Sequence, residues 1–310
     1  MKTEGVLLID KNIGMTSFDL VANLRPILNT TRVGHCGTLD PMATGLVVMC
    51  YGKATKLTRF LSTESKHYIA RIKLGVNTAT YDRYGPEIEQ QPVSDIDIEL
   101  LKTALDEFTG ECEQTVPPYS ALKFKGKRLY KYARANKDVP VKSRVVTIHS
   151  IELLDFVSPF VTVDIICSRG TYIRSIAHDL GERLGCGATL FDLRRTESGG
   201  FHVDDAMTLV QVKARQSMGL LEEKILDASN VLFYPSLQVS DAKRNRISDG
   251  IELWADDIDS ISEAFSVGDK VSLKDRDGKL LAVAKALVES ASLSKIDPVD
   301  VPILKYLRVI

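Results

Sequence analysis

The sequence is short of the features that would commit it to a membrane, a disulfide scaffold or a structural metal. Its five cysteines (Cys36, Cys50, Cys112, Cys167 and Cys186) are odd in number and show no C-x-x-C spacing, which points to a reducing compartment and against structural zinc. His35 beside Cys36 is the only close Cys/His pair, and sequence neighbours rarely share one metal. No apolar run approaches the roughly 18 residues of a membrane span, so the chain is expected to stay in water. The start, MKTEGVLLIDKNIGMTS, has only a short apolar run with Asp10 and Lys11 behind it. It lacks the charged, apolar and cleavage regions of a signal peptide and reads as a first strand.

An excess of charge is also missing. The formal net charge is −1, which argues against crude electrostatic capture of nucleic acid, although an average hides placement. From Lys123 to Arg144 nine basic residues (Lys123, Lys125, Lys127, Arg128, Lys131, Arg134, Lys137, Lys142 and Arg144) face the single acid Asp138. The tail beyond residue 250 is acidic by contrast. At 310 residues the chain is long enough for two domains without a disulfide or metal to help it fold.

Periodicity supplies the elements. Gly5 to Asp10 reads as a strand. Thr16 or Ser17 is placed to cap a helix carrying Phe18, Val21 and Leu24 inward, disturbed near Pro26. Leu46 to Tyr51 is a continuous apolar run of strand length, and Tyr68 to Leu74 and Val161 to Ser168 alternate as half-buried strands do. Ile173, Ile176, Ala177, Leu180 and Leu184 have helical spacing, with Gly185 as the expected C′ residue. After about residue 235 short strands and turns indicate a small β domain: Lys270 to Lys274, the Asp277-Gly278 turn, Leu280 to Leu287, and Ile303 to Ile310.

The loop Gly34-His-Cys-Gly-Thr-Leu-Asp-Pro41 holds one carboxylate, Asp40, ahead of a proline that biases it toward an extended conformation. By itself this is most simply an Asp-Pro surface turn. The longer string, G-H-x-G-T-L-D-P-x-A-T-G from Gly34 to Gly45, resembles the catalytic motif of the bacterial TruB family of tRNA pseudouridine-55 synthases. The resemblance continues through Gly52-Lys-Ala-Thr-Lys56, Lys66-His-Tyr68, GVNTATYDRYG, PPYSALKFKGKRLYKYAR, Ser168-Arg-Gly-Thr-Tyr-Ile-Arg174, Gly185-Cys-Gly-Ala188 and Leu193-Arg-Arg195. It covers nearly all of residues 5 to 200. Two departures stand out: Asn12 replaces the family's usual proline, and Pro117-Pro-Tyr-Ser-Ala121 is one residue shorter than the usual form.

What the resemblance implies is specific. The fold would be α+β, a pseudouridine synthase domain with a mixed, largely antiparallel sheet over residues 1–234, bearing an RNA-binding insertion at about 119–144. A PUA-like β-barrel over 235–310 would follow. The reaction would isomerise uridine 55 in the T loop of tRNA, with no cofactor and no metal, in a cytoplasmic monomer. Asp40 would be the essential carboxylate, attacking the nucleotide or removing a sugar proton. Arg174 would orient it through a guanidinium fork. Tyr68 matches a tyrosine that stacks on the target base, with removal of the C5 proton as a further role. Tyr172 and Leu193 match walls of the uracil pocket. His35 matches a histidine associated with base extrusion, a step costing a few kcal/mol, and Lys56 a phosphate or pocket contact. Lys123, Lys125, Lys127, Arg128, Lys131 and Arg134, interleaved with Phe124, Tyr130 and Tyr132, would grip RNA. Two rivals follow: a guide-RNA-dependent synthase subunit sharing the G-T-L-D-P loop, and a tRNA-folding chaperone in which binding matters more than turnover.

Overall fold

A computed structural model describes residues 2–62, 65–94, 96–120, 122–133, 135, 143–240, 243–293 and 302–310. The strands are β1 (Gly5–Lys11), β2 (Val33–His35), β3 (Thr44–Tyr51), β4 (Lys66–Leu74), β5 (Val76–Thr78), β6 (Glu87–Gln90), β7 (Gly110–Thr115), β8 (Lys123–Phe124), β9 (Lys127–Arg128), β10 (Ser143–Val157), β11 (Phe160–Cys167), β12 (Ala188–Ser198), β13 (Phe201–His202), β14 (Ser236–Val239), β15 (Ile258–Ile261), β16 (Lys270–Lys274), β17 (Leu280–Ala286) and β18 (Leu304–Val309). Helices that matter below are α1 (Ser17–Ile27), α2 (Thr58–Leu61), α3 (Ile98–Asp106), α4 (Leu129–Ala133) and α5 (Ile173–Arg183).

A nine-stranded sheet in the order β1-β3-β12-β4-β11-β10-β7, with β2 and β13 attached, forms the centre. It is mixed as expected: β12 runs parallel to β3, while every other pairing in this sheet is antiparallel. The parallel contact is tight. A Cβ on Gly45, whose φ is +101°, would lie 2.2 Å from the Arg195 carbonyl oxygen, so a side chain there would force the two strands apart.

Alternation works as the sequence indicates. In β4 the residues Lys66, Tyr68, Ala70, Ile72 and Leu74 are buried, and in β11 Val161, Val163, Ile165 and Cys167 are. These inward faces meet α1, α3 and α5 in one apolar cluster. Helix α1 starts at Thr16, which forms a capping box with Asp19, and continues through Pro26 to Ile27. Its buried stripe is Leu20, Val21 and Leu24, whereas Phe18 is 65% exposed. Phe18 lies in the first turn and points outward; the inward face is set further along. Helix α5 ends with Leu184 as C-cap and Gly185, at φ +69°, as the residue after it.

The second sheet has the order β15-β14-β16-β17-β18, with β14 and β16 parallel. Among the described residues it is an open path of five strands, without closure into a barrel, at the place where the PUA-like part is expected. Its inner face has its own apolar cluster around Leu237, Val271 and Leu273. Leu280 and Val283 instead join Val6, Leu8, Val48 and Phe60 of the first sheet region. The two sheets therefore share packed side chains, reinforced by Arg59 donating to the Leu307 carbonyl at 2.6 Å.

Candidate active site

Strand pairing delivers the charged side chains of the site as one row. Lys11 of β1 lies opposite Gly45 of β3, Gly45 opposite Arg195 of β12, and Arg195 opposite Tyr68 of β4. Gly45 contributes no side chain between the two cations. Leu193 and Lys66, each two residues away, fall on the same face as Arg195 and Tyr68. These residues line one wall of a cavity of about 260 Å³, with Asp40, Arg144, Arg169, Tyr172 and Arg174 on the other walls. That volume is near the lower bound of roughly 300 Å³ for ligand clefts and suits a single nucleoside.

The loop bearing Asp40 is held from both sides. The Leu39 N–H donates to Ser17 Oγ at 2.9 Å, the Gly14 N–H to the Pro41 carbonyl at 2.8 Å, and the Ala43 N–H to the Asp40 carbonyl at 3.0 Å. The Thr-Ser at the head of α1 therefore has two tasks: Thr16 caps the helix and Ser17 anchors the loop. Lys11, fully buried, donates to the carbonyls of Met15 at 2.8 Å and Asn12 at 3.1 Å, closing the turn where the family's proline is absent. Burial lowers its ammonium to about 8, with the Asp40 carboxylate pulling it back up.

Asp40 and Arg174 meet. Arg174 Nε lies 2.8 Å from Oδ2, an ion-pair distance without a linear N–H···O angle, and Nη2 lies 3.4 Å from Oδ1. The arginine is 4% exposed and fixed by the Thr80 and Tyr119 carbonyls, each at 3.0 Å, with Asp82 Oδ2 at 3.6 Å from Nη1. The Tyr119 backbone thus serves as a clamp on Arg174. Asp82, itself buried, is tied by Thr80 Oγ1 at 2.7 Å and the Tyr84 N–H at 3.0 Å. Asp40 keeps a third of its side chain exposed toward the cavity. A carboxylate so placed can attack or deprotonate a bound group without leaving its partner.

Tyr68 is buried, and burial raises its phenol above the ordinary value while the charge of the Arg195 guanidinium opposite it works in the opposite sense. Tyr172 is the N-cap of α5; Gln114 donates to its carbonyl at 3.0 Å and accepts from its N–H at 2.7 Å. The Arg144 guanidinium stacks over the Tyr172 ring at 5.0 Å. Among the expected site residues, Asp40, Tyr68, Tyr172, Arg174 and Leu193 therefore line one cavity.

Others lie elsewhere. His35 ends β2 opposite Met49, half-buried and off the cavity wall. Of the two contacts expected of Lys56, the pocket contact is not made: its Nζ donates to the Val309 carbonyl of β18 at 3.2 Å, and it is not in the cavity wall. Lys125 and Lys127 are exposed on the β8–β9 hairpin away from the cavity. The side chains of Lys123, Arg128 and Lys131, and all of Arg134, Lys137 and Lys142, lie outside the described residues. Lys11, Lys66, Asp82 and Arg195 have no role in the sequence reading; strand pairing and the contacts of Asp82 with Arg174 and of Arg195 with Leu46 and Gly37, all distant in the chain, bring them to the site.

Comparison with known proteins now identifies the arrangement. A family model for the TruB pseudouridylate synthase N-terminal domain matches residues 25–173, and one for the tRNA pseudouridylate synthase B C-terminal domain matches 174–230. A tRNA pseudouridine synthase B from Syntrophus aciditrophicus is 37% identical over 311 residues, 99% of this chain and 98% of that protein. The chain belongs to the TruB family of pseudouridylate synthases. Another relative of the same name, from Desulfotalea psychrophila, is 44% identical over 74% of this chain and 96% of its own length. Among solved structures, a chain from a Cbf5-Nop10-Gar1 complex superposes with a TM-score of 0.77 at 25% identity, over 99% of this chain and 85% of that one. A chain from an H/ACA RNP bound to a substrate RNA containing 2′-deoxyuridine has the same fold, with a TM-score of 0.77 at 24% identity over 98% and 84%. The TruB-family enzyme is thus an isomerase, and its fold matches that of these larger RNP subunits across almost all of its length.

Proposed function

We propose that this TruB-family enzyme converts uridine 55 in the T loop of tRNA to pseudouridine, with Asp40 as the essential carboxylate. The observation that carries this reading is the Asp40–Arg174 pair at the wall of a cavity sized for one nucleoside. Relatives called tRNA pseudouridine synthase B, aligned over the whole chain, support tRNA as substrate. The uracil must leave C1′ at N1, turn within the cavity, rejoin through C5 and lose its C5 proton. Asp40 begins the sequence, Arg174 holds it in place, Tyr68 and Leu193 sandwich the turning base, and Tyr68 takes the C5 proton. Arg144 and Arg169 at the mouth face the RNA backbone. In the same reading residues 1–234 are the catalytic unit, 235–310 bind RNA, and the enzyme works as a monomer in the cytoplasm.

A second reading, dependence on a guide RNA, is favoured by the H/ACA RNP neighbours. One experiment tests both. Purified protein is incubated with an unmodified T stem-loop transcript, without metal, nucleotide or other RNA, and pseudouridine is mapped by carbodiimide-stop primer extension. Product at the position of uridine 55 is expected. Product at another uridine overturns the substrate assignment, and product only after a guide RNA is added supports the second reading.

A further inference from the structure

Arg195 is the largest fully buried side chain among the described residues, at 1% exposure. A guanidinium taken out of water costs several kcal/mol unless its charge is compensated, yet its partners are neutral. Nε donates to the Leu46 carbonyl at 2.7 Å and Nη2 to the Gly37 carbonyl at 3.2 Å, and the residue stands opposite Tyr68 in the β12–β4 pairing. The nearby carboxylate, Asp40, is taken by Arg174. Among the described residues Arg195 makes no ion pair. Its position is rigid, because the residue faces Tyr68 directly across the β12–β4 pairing and its backbone is pressed against Gly45 on the other side. A fixed cation without a bonded counter-anion, at the wall of a reactive cavity, is arranged to meet negative charge that develops there during the reaction.

We propose that Arg195 is a positioning residue that stabilises the Tyr68 phenolate for removal of the C5 proton in the last step of the isomerisation. The inference rests on the reading of Tyr68 as the base for that step. As the C5–H bond breaks, its electron pair forms the C5–C6 double bond and the C6–N1 pair moves onto N1, which takes a proton from water. The C5 proton goes to the phenolate oxygen, and no oxidant or co-reactant is needed. Burial alone would keep the Tyr68 phenol protonated; the adjacent guanidinium opposes that bias. Arg195 also ties down Gly37, three residues before Asp40, so a purely structural role would slow the earlier, Asp40-dependent step instead.

The test separates the two. T stem-loop RNA carrying hydrogen or deuterium at C5 of the target uridine is converted by excess full-length enzyme in a single turnover. Arg195→Gln should bind this RNA as wild type does and form product about 100-fold more slowly, the scale of a weakened general base. Its deuterium isotope effect should exceed that of wild type, because C5 deprotonation becomes limiting. Arg195→Lys, which keeps the charge, should recover most of the rate and show a smaller isotope effect. A slow Arg195→Gln with no larger isotope effect overturns the inference. If that variant does not bind RNA, the same isotope comparison is made on Arg195→Met, which also removes the charge, and no rise over wild type again overturns the inference. Tyr68→Phe checks the underlying reading separately: if it turns over as wild type does, Tyr68 is not the base, whatever Arg195 does.

Discussion

Asp40 and Asp257 are both carboxylates paired with arginine, one in each sheet region, and only the first borders the cleft. Asp257 is 2% exposed, and its oxygens are filled by Lys243 Nζ at 2.7 Å, Arg246 Nη1 at 3.3 Å and the Trp254 N–H at 2.9 Å. Burial acts to raise its carboxyl, but the bonds from Lys243 and Trp254 and the Arg246 charge outweigh it and leave the group below the ordinary carboxylate value. Asp40 has one cation, imperfect hydrogen-bond geometry and a third of its side chain open to the cleft. The lesson is that an ion pair by itself says nothing about chemistry. A saturated carboxylate closes a turn; one left with spare acceptor capacity beside a cavity can react.

Asp40→Asn should break the comparison most sharply. It is expected to lower single-turnover pseudouridine formation by about 10⁴-fold, the scale of losing an essential catalytic carboxylate, with RNA affinity and melting temperature as in wild type. A chaperone role that dominates over turnover would instead let this variant fully rescue the growth defect of a deletion strain. Next comes Arg174→Lys, which cannot span the Asp40 carboxylate and the Thr80 and Tyr119 carbonyls together. It should slow the single-turnover rate by about 10²-fold.

Asp257→Asn should leave the single-turnover rate unchanged and lower stability by about 3 kcal/mol in denaturant titration, the low end for a broken buried pair, since both cations stay partly exposed. Because its folded carboxyl lies below the unfolded value of 3.8, the folded state binds fewer protons there. Its stabilisation is therefore complete above about pH 4–5 and is lost as acid protonates it, a low-pH slope the variant should lack. An effect of comparable size, confined to alkaline pH, concerns Lys11. Its ammonium falls from 10.5 unfolded to about 8 folded, so between those values the unfolded chain binds the extra proton and unfolding free energy rises with pH. Wild type should gain stability from about pH 8 toward 10.5 relative to Lys11→Met; a flat difference would show that the ammonium is not buried as described.

How far the site was legible depended on whether its partners were local. The Gly34 to Gly45 string and Arg174 were legible as motif, and period 2 put Tyr68 on an inward face. Gly185 was legible because a helix end in the left-handed region has few alternatives to glycine. Phe18 was misassigned because positions 18, 21 and 24 fit helical spacing as well as the true stripe of 20, 21 and 24 does. The place of Lys56 off the cavity wall was not legible, because nothing local says that its ammonium reaches the carbonyl of Val309, in the last strand of the chain. The roles of Lys11 and Arg195 were hidden for a related reason. Only the β1-β3-β12-β4 strand order, set by long-range pairing, brings them to Tyr68 and Asp40.

The most direct test of the central claim is a crystal structure of the Asp40→Asn enzyme with a T stem-loop RNA. The nucleoside of uridine 55 is expected out of the loop and inside the cleft, its base between Tyr68 and Leu193 and its C1′ facing the substituted amide side chain beside Arg174. A bound RNA whose uridine stays stacked in the loop, with the cleft unfilled, would contradict the account.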